Sequence, residues 1–444
     1  MKYTLKITVG FLVSLIYSIT AAGQGKLTLR DCIDLGLEKN YSIRIARNQQ
    51  QITDNNATRG NAGQLPTLDL GATFGGTYYD YDNRLQDGTR QTVNNHGSYV
   101  DLGPSLGWTL FNGFSATTDY RRLQELASIG ELDTRRTLED FIASVAEQYY
   151  TLIRQEIRLS NLRASVRLSK ERLRIVEESY HIGASSGIDF QQAQVDFNAD
   201  NSALISQMEL VQRLQIELNE VMGVSEVERR VSLADTTIVP NVLLDREQLW
   251  GGVKENNSSL MLAEKNKTVS ELDLRKAKSR NYPYLRVAAG YGYRHSWDNY
   301  SAYETQDRLG LNYSVSAGIT IFDGMNRRRE QRNARLEIEN RQLYIDQLKL
   351  ALRSDMAAIW LAYTNNLKLW DIERENLVVA RSNFEVAMER YRLRELSGIE
   401  LREAQLSLLQ SEERLSTVEY NIKMCEISLY QLRGEILDKY AGEG

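Results

Sequence analysis

The sequence predicts an α+β membrane protein: a trimer in which each chain adds four antiparallel strands to one shared 12-stranded barrel, which continues into a long α-helical coiled-coil tunnel. Three observations predict this fold. The chain of 444 residues repeats itself once, some segments alternate apolar with small polar residues, and long heptad-spaced segments accompany a total of only 4 prolines. A period of two is typical of strands, and spacings of three and four are typical of coiled coils.

Composition excludes several classes of protein. The chain carries 54 Lys+Arg against 59 Asp+Glu, so it lacks the basic excess that binds nucleic acid. With 2 Cys it has too few cysteines for a disulfide scaffold or a four-cysteine zinc site, and 3 His leave little material for a histidine-based metal centre. The sequence contains no nucleophile–base pair, phosphate-binding loop or metal-ligand spacing. We therefore predict no enzymatic activity, no catalytic residue, no cofactor and no metal site.

The N-terminus has the pattern of an export signal. Lys2 and Lys6 flank the start of an uncharged apolar run at 7–19, and small residues follow at 20–23. We place a secretory signal peptide at residues 1–23. A retained membrane anchor is the alternative, but the run is shorter than the ~20 apolar residues that a membrane-spanning helix needs.

The rest of the chain contains an internal duplication. The segment Leu-Pro-Thr-Leu at 65–68 returns as Tyr-Pro-Tyr-Leu at 282–285, an offset of 217. Thr-Leu-Phe-Asn-Gly at 109–113 returns as Thr-Ile-Phe-Asp-Gly at 320–324, an offset of 211. Such self-similarity identifies an internal repeat. We divide the chain into repeat one, residues 24–234, and repeat two, residues 235–444, and place the six-residue length difference in a surface loop between the strands of repeat one.

Each repeat contains two predicted strands, at about 65–80 and 98–112, and at about 283–296 and 308–323. They are long enough to cross a bilayer at a tilt, which takes ~9–11 residues. One face of each strand is apolar and the other is small and polar, which is typical of a strand with lipid outside and water inside. A soluble sandwich with one wet face is the alternative. The polar segments 80–98 and 295–308 are predicted to be exterior loops.

Each repeat also contains a helical hairpin, at 113–222 and 324–433, and a shorter helix before its first strand, at 42–63 and 259–280. The returning arm of the first hairpin has a heptad seam at Ala193, Phe197, Asp200, Leu204, Gln207, Val211, Leu214, Leu218 and Val221. The same seam recurs 211 residues later. Cys425 lies on that second seam, and we interpret it as a small buried hydrophobe; a disulfide with Cys32 is the alternative.

Oligomerisation follows from the strand count. Four strands cannot close a transmembrane barrel, for which 8 is the usual minimum, and a sheet with open edges does not occur in lipid. Three copies with twelve strands are the simplest ring that leaves room for a lumen. The sequence therefore predicts a homotrimer whose barrel contacts outer-membrane lipid.

Together these features resemble the TolC-type outer-membrane efflux family. The resemblance covers residues 27 to 436 and is carried by the repeat opening Leu-Thr-Leu-Arg-Asp at 27–31, the strand entry at 65–68, the helix start Phe-Asn-Gly at 111–113 and the two hairpin turns. It implies a trimeric exit duct of a tripartite efflux or type I secretion system in the outer membrane of a Gram-negative bacterium, spanning into the periplasm. A periplasmic adaptor and an inner-membrane pump would be its partners. A membrane-anchored coiled-coil stalk without transport is the alternative.

The resemblance also assigns residues at the hairpin tips. It implies adaptor docking for Gly183, Ser186, Gly187, Ser397 and Gly398, whereas the alternative is that they only form turns. Repeat two departs from the family pattern, because arginine occupies position 394 where glycine is usual.

An acidic ring at the tunnel aperture is the second implication. Glu400 and Glu403 lie one helical turn apart, so they can face the same way, and they match the family's positions for such a ring, with Asp189 as the repeat-one counterpart of Glu400. Three-fold symmetry would bring these carboxylates round one axis, where they attract cations. The alternative is that they are solvated surface acids.

Overall fold

The structure is a computed structural model that describes residues 26–299 and 303–442. The predicted signal peptide at 1–23 lies outside these residues. In chain order the elements are α1 Leu29–Lys39, α2 Tyr41–Asn56, β1 Thr67–Arg84, β2 Arg90–Asn112, α3 Ser115–His181, α4 Gly187–Val221, α5 Arg246–Asn256, α6 Ser258–Ser279, β3 Tyr284–Asp298, β4 Thr305–Gly318, α7 Asn326–Arg392, α8 Gly398–Arg433 and α9 Ile436–Tyr440. Across the described ranges, no helix is both long enough and apolar enough to cross a membrane.

The order of two helices, two strands and two long helices occurs twice. The long arms α3 and α7 each have 67 residues. No proline interrupts either arm, so the backbone hydrogen bonds run unbroken along each helix. The predicted helical hairpins are therefore present, with arms of unequal length.

The four strands form one antiparallel sheet in the order β1-β2-β3-β4. Leu68, Leu70 and Phe74 on β1, like Leu311 and Val315 on β4, are exposed although they are apolar. Within the described residues no second sheet covers this face. A sandwich would bury its apolar face between two sheets, so the alternative of a soluble sandwich is wrong.

The first predicted exterior loop is much shorter than expected. β1 and β2 continue through the polar segment 80–98 and pair as far as Arg84 opposite Arg90. The turn holds five residues, with Gly88 at a φ of +86° and the Asp87 carboxylate accepting from the Thr89 N–H at 2.9 Å. Polarity suggested a loop, but backbone pairing does not depend on apolar side chains, and Tyr81, Thr92 and Val93 in this segment are residue types that favour strand.

The short helix before β1 also differs from its prediction. The expected helix at 42–63 ends at Asn56, and Gly63 takes a φ of +73° in the turn that leads into the strand. The turn at 59–63 therefore separates the helix from the strand. In repeat two, α6 spans Ser258–Ser279, close to the predicted 259–280.

Burial follows the predicted seams. On α4 the side chains of Ala193, Asp200, Gln207, Val211, Leu214 and Leu218 are buried, and the other predicted seam positions of this helix are half-buried. On α8 the corresponding buried positions are Ala404, Ser411, Val418, Ile422 and Leu429. The heptad spacing therefore identified the packed faces of both returning arms.

The chain divides into two compact units. Within the described residues, one unit contains 26–47, 134–260 and 348–442, and its largest core joins α1 to the middle of α3, to α4 and to the linker between the repeats. The linker is held by a parallel bridge between Leu27 and Leu233. Cys32 and Cys425 are free, so the alternative of a disulfide between them is wrong. The second unit contains residues 48–133 and 261–347, including the whole sheet.

Candidate functional site

The first hairpin tip is a tight turn between α3 and α4. Gly183 adopts a φ of +73°, a conformation that glycine takes without strain. Ser186 caps α4: its hydroxyl accepts from the Asp189 N–H at 3.1 Å, and the Asp189 carboxylate accepts in return from Ser186. These reciprocal bonds form a capping box. The Ser186 hydroxyl and N–H hold the pKa of the Asp189 carboxyl below its ordinary value.

The second tip, between α7 and α8, repeats this geometry. Arg394, the counterpart of Gly183, takes a φ of +63°, so the arginine keeps the glycine-like backbone that the turn requires. Ser397 caps α8 with Glu400, whose carboxylate accepts from the Ser397 N–H at 2.9 Å and from its hydroxyl at 2.7 Å. These bonds lower the pKa of the Glu400 carboxyl. The residues assigned to adaptor docking thus form two equivalent turns.

Four large apolar side chains project from these turns. They occupy equivalent positions in the two repeats and are each between 68% and 78% exposed: Ile182, Ile188, Leu393 and Ile399. Sequence reasoning missed them because isolated apolar residues beside a turn match neither the period of the seam nor that of the strands. Their repetition 211 residues apart was the signal that could have found them.

A groove lies between the two tips. It is lined by residues of both hairpins, among them Val176, Ser179, Gln192, Tyr391, Leu396 and Ile399. At its base the buried guanidinium of Arg172 on α3 pairs with the Asp196 carboxylate of α4 and donates to the Gly398 carbonyl at 3.3 Å. Arg172 therefore joins the first hairpin to the second tip, a role that its sequence position did not predict.

A second ionic link is buried further along the same helices. Arg402 of α8 donates to both oxygens of Asp200 of α4, at 2.6 and 2.8 Å. Asp200 also accepts from the Ser165 hydroxyl of α3 at 3.0 Å, and the Gln405 amide donates to Ser165 at 2.6 Å. Burial is the largest single influence on the pKa of Asp200 and raises it. The hydrogen bonds and charge of Arg402, together with hydrogen bonds from serine hydroxyls, outweigh burial, so the pKa is lowered.

The three predicted ring acids are exposed in the single chain. Asp189 and Glu400 act as helix caps at equivalent positions, whereas Glu403 takes no part in a cap. Closure of a ring depends on neighbouring copies, so its formation stays a prediction. The cap is a structural role for Glu400 that the ring hypothesis did not include.

The polar face of the sheet carries charge as well as small residues. Its charged side chains are Asp69, Asp101, Arg286, Arg294, Asp298 and Arg308. Arg294 of β3 donates from Nε to Asp101 of β2 at 2.7 Å, and Arg308 of β4 lies directly opposite Arg294. Glycine and serine occupy many of the intervening positions. This face suits contact with water, whereas the opposite face suits contact with lipid.

The described residues offer few groups of the kinds that enzymatic chemistry uses. Among the residues that the structure describes, no group of three or more His, Cys, Asp and Glu side chains is placed to hold a metal ion. Burial shields the two thiols from solvent. It raises the pKa of Cys32 to about 12 and also raises the pKa of Cys425.

A four-stranded sheet with one apolar and one polar face, joined to two long helical hairpins, defines the class of outer-membrane channel proteins with coiled-coil tunnels. A family profile described as "Outer membrane efflux protein" matches residues 32–224 and 251–435. The chain belongs to this family of channel proteins. The protein is localised in the outer membrane and extends into the periplasm.

Individual relatives agree with the family assignment. The chain is 22% identical to Protein CyaE of Bordetella pertussis over 274 residues, which are 61% of this chain and 56% of that protein. The match therefore spans little more than half the length of CyaE. It is 19% identical to the proteases secretion protein PrtF of Dickeya chrysanthemi over 343 residues, 76% of this chain and 72% of PrtF.

Solved structures share the fold. A membrane protein from Pseudomonas aeruginosa superimposes with a TM-score of 0.75 at 15% identity, covering 91% of this chain and 90% of that one. The CmeC outer membrane channel of Campylobacter jejuni gives a TM-score of 0.74 at 14% identity, covering 92% and 86%. The predicted fold class is confirmed.

Proposed function

We propose that the protein is the passive exit duct of a tripartite efflux or type I secretion system, assembled from three copies. One observation carries this proposal: a sheet with two exposed faces, one apolar and one polar, and with edge strands β1 and β4, is followed in each repeat by a 67-residue helix. In lipid such a sheet needs closure, because open edges leave backbone groups without hydrogen bonds. Closure among copies encloses the polar face as a water-filled lumen.

Energy and cargo selection come from partners in this proposal. The tips carry the adaptor contact, at Gly183, Ser186, Gly187, Ser397 and Gly398. The four exposed apolar side chains of the tips support this role, since exposed apolar groups grouped around one feature mark interaction sites. An inner-membrane pump drives transport through the adaptor. The name of the relative PrtF supports secretion of polypeptides as one mode, and the duct itself performs no catalysis and uses no cofactor.

Removal of the protein is expected to block export, and restoring it is expected to recover export. In a strain that lacks this gene and related ducts, we expect pump substrates, either a fluorescent dye or a secreted polypeptide, to accumulate inside the cell. Detergent-extracted protein is expected to have three times the mass of one mature chain by light scattering corrected for detergent. A monomer would contradict the duct, because four strands cannot seal themselves in lipid.

The acidic ring is also part of the proposal, with Glu400, Glu403 and Asp189 facing the axis at the aperture. Because Glu400 also caps α8, replacement with alanine would confuse loss of charge with loss of the cap. Glutamine keeps the capping hydrogen bonds and removes the charge. We expect Glu400→Gln with Glu403→Gln to raise the divalent-cation concentration that blocks conductance in planar bilayers by about tenfold. Unchanged block would mean that these acids are solvated surface residues.

A further inference from the structure

The internal duplication extends to the register of the strands. Thr67 of β1 lies opposite Gly107 of β2. The sequence offsets of 217 for β1 and 211 for β2 carry this pair to Tyr284 and Gly318, which are partners between β3 and β4. The relation holds further along the strands: Phe74 and Val100 become Tyr291 and Leu311, which again are partners. Both hairpins therefore pair in the same register.

Repeat one also meets repeat two within the chain, through β2 and β3. Ser105 lies opposite Gly290 at this junction, and Asn112 lies opposite Tyr284. The reverse junction, from repeat two back to repeat one, would join β4 to β1. In the chain these are the two edge strands, so a junction between them requires a second copy.

We propose that β4 of one copy pairs antiparallel with β1 of the next copy in the register of the β2–β3 junction. Applying the same offsets places Ser316 opposite Thr73 and Asp323 opposite Thr67. The register rests on the proposed trimer and adds to it the residues that meet between copies.

The ends of the strands support this register independently, because the offsets were taken from sequence motifs and not from strand limits. Continued to the other end of the sheet, the same register places Thr305, the first residue of β4, opposite Arg84, the last residue of β1. β4, from Thr305 to Gly318, thus covers β1 from Arg84 to Gly71, with no overhang at the Arg84 end.

The early end of β4 supports it as well. β2 runs to Asn112, whose counterpart is residue 323, but β4 ends at Gly318. Residues 108–112 of β2 pair only with β3, since pairing with β1 begins at Gly107. The partner that would hold 319–323 as strand is therefore β1 of another copy. In the single chain Ile319, Ile321 and Phe322 are 54%, 90% and 72% exposed.

Side chains on the two strands also match across the proposed junction. On the polar face Ser316 meets Thr73 and Ser314 meets Gly75, and on the apolar face Val315 meets Phe74 and Ile319 meets Leu70. A slip of one residue would set apolar against polar faces along the whole junction. The least favourable pair sets Asp307 against Asp82 at the exposed end, where His295 and Thr92 already contact these carboxylates.

Cysteine cross-linking tests the register. The variant with Thr73→Cys and Ser316→Cys is expected to form disulfide-linked dimers and trimers on mild oxidation of the assembled protein. Within one chain these positions are three strand spacings apart across the sheet, about 14 Å. Arg308 is the β4 residue level with Thr73, and Ser316 lies a further eight residues, roughly 27 Å, along β4. This separation is too large for a disulfide, so any bond joins two copies. The native thiols can stay, because burial raises their pKa and limits their reactivity.

The matched control keeps Ser316→Cys and moves the second cysteine four residues, to Thr77→Cys on the same face of β1. Its thiol would lie about 13 Å from the expected partner, so we expect roughly tenfold less cross-linking. Cross-linking of the control pair in a protein with the mass of a trimer would overturn the register and leave the duct intact. A monomeric mass would overturn both.

Discussion

Replacement of Arg402 with methionine is expected to destabilise the packing of the two hairpins by about 3–5 kcal/mol, because it leaves the Asp200 carboxylate buried without its counter-ion. Asp200 is buried, and Arg402 contributes both of its charged hydrogen bonds. Hydrogen exchange of the amides of α4 and of the first turns of α8 measures this loss as faster local opening. Methionine keeps much of the arginine volume, so the change tests the charge more than the packing.

Two variants make this result specific. Arg174→Met removes an arginine whose partners Glu171 and Glu178 are exposed, and we expect no measurable change in exchange. Combining Arg402→Met with Asp200→Leu removes both charges of the pair, and we expect exchange to return most of the way to that of the wild-type protein. Wild-type exchange in Arg402→Met alone would show that water already solvates Asp200.

Acid should weaken the same link. The pKa of Asp200 is lowered by folding, so its ionised form stabilises the folded protein at every pH above the unfolded value of 3.8, and this stability is lost as the pH falls through the lower folded value. Near neutral pH the link is fully formed. The difference in exchange between the wild-type protein and Arg402→Met should therefore shrink as the pH falls. Protonation of Asp200 first relieves the unpaired charge in the variant, where burial raises the pKa, and in stronger acid it breaks the link in the wild-type protein.

The sequence predicted the packed faces better than it predicted these ion pairs. Asp200 was recognised as a seam position, because heptad spacing depends only on one helix. Its partner Arg402 comes from the other hairpin, more than two hundred residues away, and no local period encodes which helices lie side by side. A charged residue on a seam whose other positions are uncharged was the only signal that a buried partner had to exist.

The limits of the strands and turns were likewise predicted only in part. Alternation identified the core of every strand, but the polar end of the β1–β2 hairpin was predicted as loop, since polarity was used as a substitute for backbone pairing. The hairpin tips were assigned from the resemblance to the family, in which glycine is usual, yet Arg394 shows that the backbone conformation can persist without glycine. The tips' exposed apolar residues required comparison of the two repeats, because neither tip alone distinguishes them from chance.

The two faces of β4 allow the most direct test of the membrane assignment. Val315 lies near the middle of the apolar segment and is exposed, and its neighbour Ser314 is on the opposite face. Arginine on the lipid face at the middle of the bilayer costs about 2–4 kcal/mol per chain, and a trimer carries three such residues. We expect Val315→Arg to abolish assembly in the outer membrane, measured as the amount of trimer in washed outer-membrane fractions.

Ser314→Arg is the matched control, since it introduces the same side chain one residue away on the same strand. Its guanidinium would enter the lumen, opposite Ala288 and beside other polar groups, where water solvates the charge. We expect normal amounts of trimer, with conductance shifted towards anions because three positive charges line the pore. If Ser314→Arg failed to assemble and Val315→Arg assembled normally, the faces would be reversed. If both variants assembled normally with unchanged conductance, the sheet would not be the wall of a channel. In such a wall, neighbouring residues of a strand face lipid and water alternately, so the two arginines could not behave alike.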